Sequence, residues 1–328
     1  MIKKTPSNPD QEVSTVSPAQ RVELVGPTGQ GNEKGNSSRS ASFSIPRTMS
    51  KYQLDVVIVG AMIVLVLLIF AAVFWRQIAP HDPLKQHLEN RLLPPMPWPG
   101  SSSAHILGTD TLGRDLLSNI LYGLQMSLQI GAMAVIVAAI VGCVTGLVSG
   151  YFGGIVDILF MRFVDLRMAI PGLLIAMLIA VLWGTSLVKM MVLIAFISFT
   201  NFARVIRGET LSVCNRDFVE AAQAIGAKPF RIMLRHVLPN VASSLLIMTV
   251  LQLPSAILIE ATLSFLGFGL PIEIPSLGRL VNKGYNVLIA GYWWYSIFPG
   301  LAILILVMSV NIIGDWLREY LDPRLREA

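Results

Sequence analysis

Charge-free apolar runs alternate along this chain with polar stretches rich in proline or arginine. Residues 56–75 carry no charge over a length that suits one membrane-crossing helix, since a hydrocarbon core about 30 Å thick requires roughly 20 helical residues. Residues 116–156 are also uncharged and exceed one crossing, which places a second helix near 127–151 behind a lead-in. The runs 168–187 and 190–202, parted only around Gly184, Thr185 and Lys189, predict a tight hairpin, and 238–259 and 292–313 complete the set. The pattern predicts an all-α, polytopic membrane protein with six transmembrane helices.

The intervening stretches organise the rest. Residues 1–50, rich in Ser, Pro, Gly, Asn and Gln, cannot bury enough apolar area to offset chain entropy and read as a disordered tail. After the first helix, 51–76, comes an extramembrane loop, 77–115, with Pro80, Pro83, Pro94, Pro95, Pro97 and Pro99 among mixed charges. A five-helix core, 116–314, contains a basic loop, 204–238, with Arg204, Arg207, Arg216, Lys228, Arg231 and Arg235; the tail 315–328 adds Arg318, Arg324 and Arg326. Basic residues favour the cytoplasmic side, so loop, tail and N-terminus are expected there and 77–115 outside. Tyr292, Trp293, Trp294 and Tyr295 suit the outer headgroup level. The first apolar run lacks a small-residue cleavage site close behind it and is expected to stay as an anchor. Gly142, Gly146 and Gly150, four apart, suit close helix approach in lipid.

Composition narrows the function. The chain is 54% hydrophobic and 14% charged, with a mean hydropathy of +0.64, which points to a bilayer as solvent. The net charge of +5 sits in the gaps between apolar runs, so nucleic acid is not an expected partner. Two cysteines, Cys143 and Cys214, build neither a disulfide framework nor a multi-cysteine metal site. His81, His87 and His105 fit no helical ligand pair, and no acidic cluster accompanies them in the sequence, so they read as solvated loop residues and no metal is expected. The six runs hold no histidine and no carboxylate pair, against an intramembrane enzyme. The glycine-rich stretch 26–31 resembles a phosphate loop, but Asn32 and Glu33 stand where Lys and Ser or Thr are needed. No cofactor is expected in this chain.

The most informative stretch is Glu220-Ala221-Ala222, then Gly226, then Leu238-Pro239, inside the basic loop. It reads as a short helix, a glycine turn and a second helix beginning before Pro239. Small Ala221 and Ala222 permit close approach, so the element suits a groove on a cytoplasmic partner; a membrane-surface helix facing anionic lipid is the other reading. Pro171 and Pro254 would free backbone carbonyls within helices, through kinks near a translocation path or through packing alone. Glu260, near the outer end of the fifth span, is a pore or gate candidate or a helix cap at the interface.

This spacing resembles the signature of bacterial binding-protein-dependent ABC importer permeases. His236 stands where isoleucine is usual, and Arg235-His236-Val237-Leu238-Pro239-Asn240 resembles the dipeptide, oligopeptide and nickel branch. Further matches are Gly108-Thr109-Asp110 with Gly113-Arg114-Asp115, Gly150-Tyr151-Phe152-Gly153-Gly154 with Asp157 and Asp165, Glu260-Ala261 with Leu263-Ser264-Phe265-Leu266-Gly267, and Gly314-Asp315 with Leu321-Asp322-Pro323. The chain departs at Asn119, where arginine is common, and at Leu277, where tryptophan usually precedes Gly278. The resemblance implies a type I importer permease fold, half of a pore taking up dipeptides or oligopeptides, with nickel or glutathione-type solutes as the alternative. It also implies partners: a related permease, two cytoplasmic subunits that bind ATP and Mg, and an extracytoplasmic solute-binding protein. Under it, Glu220, Ala221, Ala222, Gly226, Leu238 and Pro239 form the ATPase-coupling element, with Arg204, Arg207, Arg216, Asp217 and Arg231 flanking it.

Overall fold

A computed structural model describes residues 47–271 and 273–321. The tail expected over 1–50 lies outside these up to residue 46, as do the glycine-rich stretch 26–31, Asp322, Pro323, Arg324 and Arg326.

The first helix, α1 (Arg47–Val73), leads into a short α2 (Trp75–Ile78). The proline-rich stretch that follows has one 3-10 turn (Leu88–Asn90) but is tied together by backbone pairs: Leu92 N–H donates to Asp110 O at 3.1 Å, Thr109 N–H to Leu93 O at 3.1 Å and Met96 N–H to Ile106 O at 3.1 Å. Asp110 Oδ1 accepts from the N–H groups of Leu112 and Arg114, both at 2.8 Å. Gly113 has φ +72, and a Cβ there would sit 1.7 Å from the His87 carbonyl, so only glycine lets the two chain segments of this lobe pass. Asp115 then caps α3 (Leu116–Phe152) by accepting from Ser118 N at 2.9 Å and Ser118 Oγ at 2.7 Å.

The lead-in expected before residue 127 is continuous with the helix behind it, and α3 runs 37 residues without a break. Its stripe of small residues does what the spacing suggests: a Cβ on Gly142 would lie 2.4 Å from Phe202 Cβ, on Gly146 2.8 Å from Ala203 O, and on Gly150 2.7 Å from Thr210 Cβ, all on the later helix Leu187–Cys214. Chain reversal at Gly153 (φ +61) starts α4 (Gly154–Ala169), and α5 (Gly172–Trp183) follows.

The third crossing departs from the expected form. Residues 168–187 are not one straight span: α4 and α5 meet at 86°. Pro171 explains the break, because the residue before a proline is driven out of the helical region, and Ile170 is extended (φ −101, ψ 129). With 12 residues, α5 rises only about 18 Å, short of a crossing by itself. Among the described residues five helices are long and apolar enough to span a bilayer, and the count reaches the expected six if the bent pair makes one crossing.

Beyond Gly184 (φ +69), α6 (Leu187–Cys214) outruns the expected 190–202 and carries the first arginines of the basic loop in helical form. Then come α7 (Asp217–Ala224), α8 (Pro229–Ile232), a π turn (Met233–Val237), α9 (Leu238–Phe265), α10 (Leu277–Leu288) and α11 (Trp294–Leu321). Among the described residues no strand occurs.

Among the described residues the interior falls into three apolar clusters. Ile130, Ala134 and Ala138 of α3 pack with Ile194, Phe199 and Phe202 of α6. Leu116 and Leu124 of α3 meet Leu277 of α10 and Tyr295 and Leu306 of α11. The third joins Leu147 of α3, Ile206 of α6, Val219 and Ala222 of α7 and Val241 of α9.

Candidate functional site

The local sequence builds α7 as an amphipathic knob. Val219 and Ala222, three residues apart on one face, are buried at 0% and 6% exposure, while Glu220, Ala221 and Gln223 face outward. Asp217 and Glu220 fall in its first turn, where the helix dipole favours negative charge. Its end is a Schellman motif: Ala227 N–H donates to Ala222 O at 3.1 Å and Gly226 N–H to Gln223 O at 2.9 Å, with Gly226 at φ +79. The spacing from Ala222 to Gly226 is therefore that of one capped helix end. Ala222 and Ala227 both join the apolar cluster beneath.

Beyond the turn, Phe230 is 69% exposed, Ile225 85% and Phe218 39%. Three bare apolar side chains around exposed Glu220 and Ala221, in a segment carrying Arg216, Lys228, Arg231 and Arg235, form a surface suited to another protein rather than to water. Leu238 is half-buried against the third cluster and Pro239 is exposed. The π turn ahead of them precedes Pro239, which lacks an N–H for the helix ladder. His236 lies 6.4 Å, ring to ring, from Phe218 of α7, and Asn240 Nδ2 donates to His236 O at 2.7 Å.

Two of the flanking arginines have other partners. Arg207 donates from Nε and Nη2 to the two carboxylate oxygens of Asp157 at 2.5 and 2.6 Å, and Arg204 Nη2 donates to Asp165 Oδ1 at 2.7 Å. They tie α6 to α4, a pairing that sequence reading missed because the partners lie 50 and 39 residues apart. The same motif that supplied Asp157 and Asp165 held the signal.

The pore candidates land in different settings. Pro171 sits at the exposed break between α4 and α5, not inside a helix, so it frees no helical carbonyl. Pro254 is inside α9 and buried. Glu260 is fully buried on α9 and accepts from Ser127 Oγ of α3 at 2.8 Å and Ser264 Oγ at 2.7 Å. It joins two helices at the core rather than capping an end.

At the far end of α3, the lobe corrects the reading of the histidines. His105 is 4% exposed and its Nδ1 lies 3.0 Å from Asp115 Oδ1, so a carboxylate does accompany it. The sequence hid this because the pair is closed by the lobe's turns, ten residues apart and on no regular element.

Long apolar helices, a bent helix pair and a short helix sharing one apolar cluster with three others make the architecture of a multi-pass membrane protein. The same fold is found in a chain of the MetNI methionine ABC transporter solved in inward-facing conformations, at a TM-score of 0.50 and 19% identity, covering 62% of this chain and 96% of that one. Residues 142–327 match the family of binding-protein-dependent transport system inner membrane components, and residues 57–95 match the N-terminal TM domain of oligopeptide transport permease C. Among curated relatives, the dipeptide transport system permease protein DppC of Escherichia coli (strain K12) is 38% identical over 269 residues, 82% of this chain and 89% of the relative. The glutathione transport system permease protein GsiD of Escherichia coli O6:K15:H31 (strain 536 / UPEC) is 37% identical over 271 residues, 81% and 86%.

The chain belongs to the binding-protein-dependent transport system inner membrane component family. It is a multi-pass inner-membrane transport subunit with the type I importer permease fold, not an enzyme; such subunits work with other permease, ATPase and binding-protein partners.

Proposed function

We propose that this chain forms half of the pore of an ATP-driven importer of dipeptides or oligopeptides, and that α7 is where a cytoplasmic ATPase subunit pushes on it. The observation that carries the coupling reading is the double character of α7: its inner face belongs to one apolar cluster with residues of α3, α6 and α9, and its outer face is bare. A force applied outside therefore reaches three pore helices without passing through a loose loop.

Charge and distance support an orientation. The 37-residue α3 rises about 55 Å, so the proline-rich lobe and α7 lie at opposite ends of the bundle. The basic residues cluster at the α7 end, which supports a cytoplasmic position for that end and an outer position for the lobe, facing a solute-binding protein. A related permease would complete the pore, and two ATP-binding subunits would hold ATP and Mg. Closure of those subunits draws two coupling helices together and turns the pore from inward-open to outward-open.

Peptide as cargo is supported by identity to dipeptide permeases over four-fifths of the chain; similar identity to a glutathione permease supports the second reading. Uptake of a labelled dipeptide by cells carrying the chain with its neighbouring transporter subunits, in competition with unlabelled glutathione, separates the two. Peptide import unaffected by glutathione is expected; glutathione uptake without peptide uptake would overturn the cargo assignment.

A further inference from the structure

The lobe holds three donor groups that the transport reading does not use. His81 follows the first membrane helix, His105 sits in the turn before Gly108, and Asp115 is the N-cap of α3. One donor atom from each lies within 4.8 Å of the others. His81 Nδ1 is 3.9 Å from Asp115 Oδ1, His105 Nδ1 is 3.0 Å from the same oxygen, and the two rings stand 4.6 Å apart. Tetrahedral ligation at 2.0–2.1 Å separates donors by about 3.3 Å, so small side-chain shifts suffice to close these atoms around an ion.

Two further observations point to a ligand. The His81 side chain is 38% exposed, but its Nδ1 atom is turned inward and has no hydrogen-bond partner, and the His81 backbone N–H donates to Ser118 Oγ at 3.2 Å. The same groups open on a cavity of about 210 Å³, also lined by Asp82, Lys85, His87 and Gly113, which leaves room for a water as fourth ligand. Asp115 is held for the task, because its second oxygen is oriented by Ser118 while the first faces both rings.

We propose that His81, His105 and Asp115 form a binding site for one divalent transition-metal ion of the zinc class, which clasps the lobe onto the start of α3. Two imidazoles and one carboxylate suit zinc and its neighbours and not magnesium or calcium, which prefer oxygen-only shells. His105 moves its ring hydrogen to Nε2 and presents Nδ1 to the ion; the imidazole changes tautomer and no proton is lost. The proposal is independent of which solute crosses the pore.

The test uses the purified full-length chain in detergent, stripped with a chelator and titrated with Zn²⁺ by calorimetry and metal analysis. Wild type is expected to bind one equivalent. His81→Ala, which removes a ring that makes no hydrogen bond and leaves the anchored backbone N–H intact, is expected to weaken binding at least about tenfold. His87→Ala, on the same cavity but outside the ligand set, is expected to bind as wild type. Hydrogen exchange over residues 80–113 should slow on adding Zn²⁺ in wild type and not in His81→Ala. Absence of saturable zinc, unchanged affinity in His81→Ala, or an equal loss in His87→Ala would overturn the site.

Discussion

Gly226 carries the sharpest consequence of the coupling account. Its φ of +79 closes α7, and a Cβ there meets nothing within 4 Å, so Gly226→Ala adds no clash and its whole cost is backbone conformation. Holding a non-glycine residue in the left-handed region costs about 1–2 kcal/mol. Relaxing out of it breaks the two bonds from Ala227 and Gly226 to Ala222 and Gln223, each contributing about 0.5–1.5 kcal/mol. A penalty of 1–2 kcal/mol lowers the native turn against its relaxed alternative by a factor of about 5–30. Val219 and Ala222 still anchor α7, so the amount of protein in the membrane should not change. In proteoliposomes containing the assembled transporter, peptide uptake and substrate-stimulated ATPase activity are expected to fall together by up to that factor. Gly226→Asn, a residue that tolerates this conformation better, should fall between. Wild-type uptake in Gly226→Ala at equal protein level would refute the reasoning.

Three other outcomes follow from the packing. Gly146→Leu drives a side chain into the backbone of Ala203 and Arg207 on α6, and detergent-solubilised folded protein, followed by size-exclusion chromatography, should drop sharply, by the 1–3 kcal/mol or more that overpacking costs. Glu260→Leu strands the hydroxyls of Ser127 and Ser264 in the core at about 1–3 kcal/mol, whereas Glu260→Gln keeps one acceptor and should lose less; thermal unfolding in detergent ranks them. Arg207→Lys surrenders the paired contact to Asp157, and the exchange Asp157→Arg with Arg207→Asp should regain part of the stability that either single change loses, read from a double-mutant cycle.

Long apolar runs announced the helical membrane architecture, because in a bilayer every backbone group must be satisfied within its own segment. Their ends were less legible. The charge-free criterion stopped the fourth span at Phe202, whereas α6 continues to Cys214 because Arg204 and Arg207 find Asp165 and Asp157 on a neighbouring helix. Pro171 was visible in the sequence, but only the extended Ile170 beside it turns a kink into an 86° break. The helix and glycine turn of 217–226 were readable, since Gly226 and the alanine four residues earlier belong to one local motif. The His81, His105 and Asp115 cluster was not, because it depends on how three separate turns of the lobe fold against α3.

The most direct test of the central claim is a photo-crosslinking residue in place of Ala221, exposed on the outer face of α7, in cells expressing the whole transporter. The account predicts an adduct with an ATP-binding subunit, absent when the probe replaces buried Val219. An assembled transporter that yields only lipid adducts from Ala221 would contradict it.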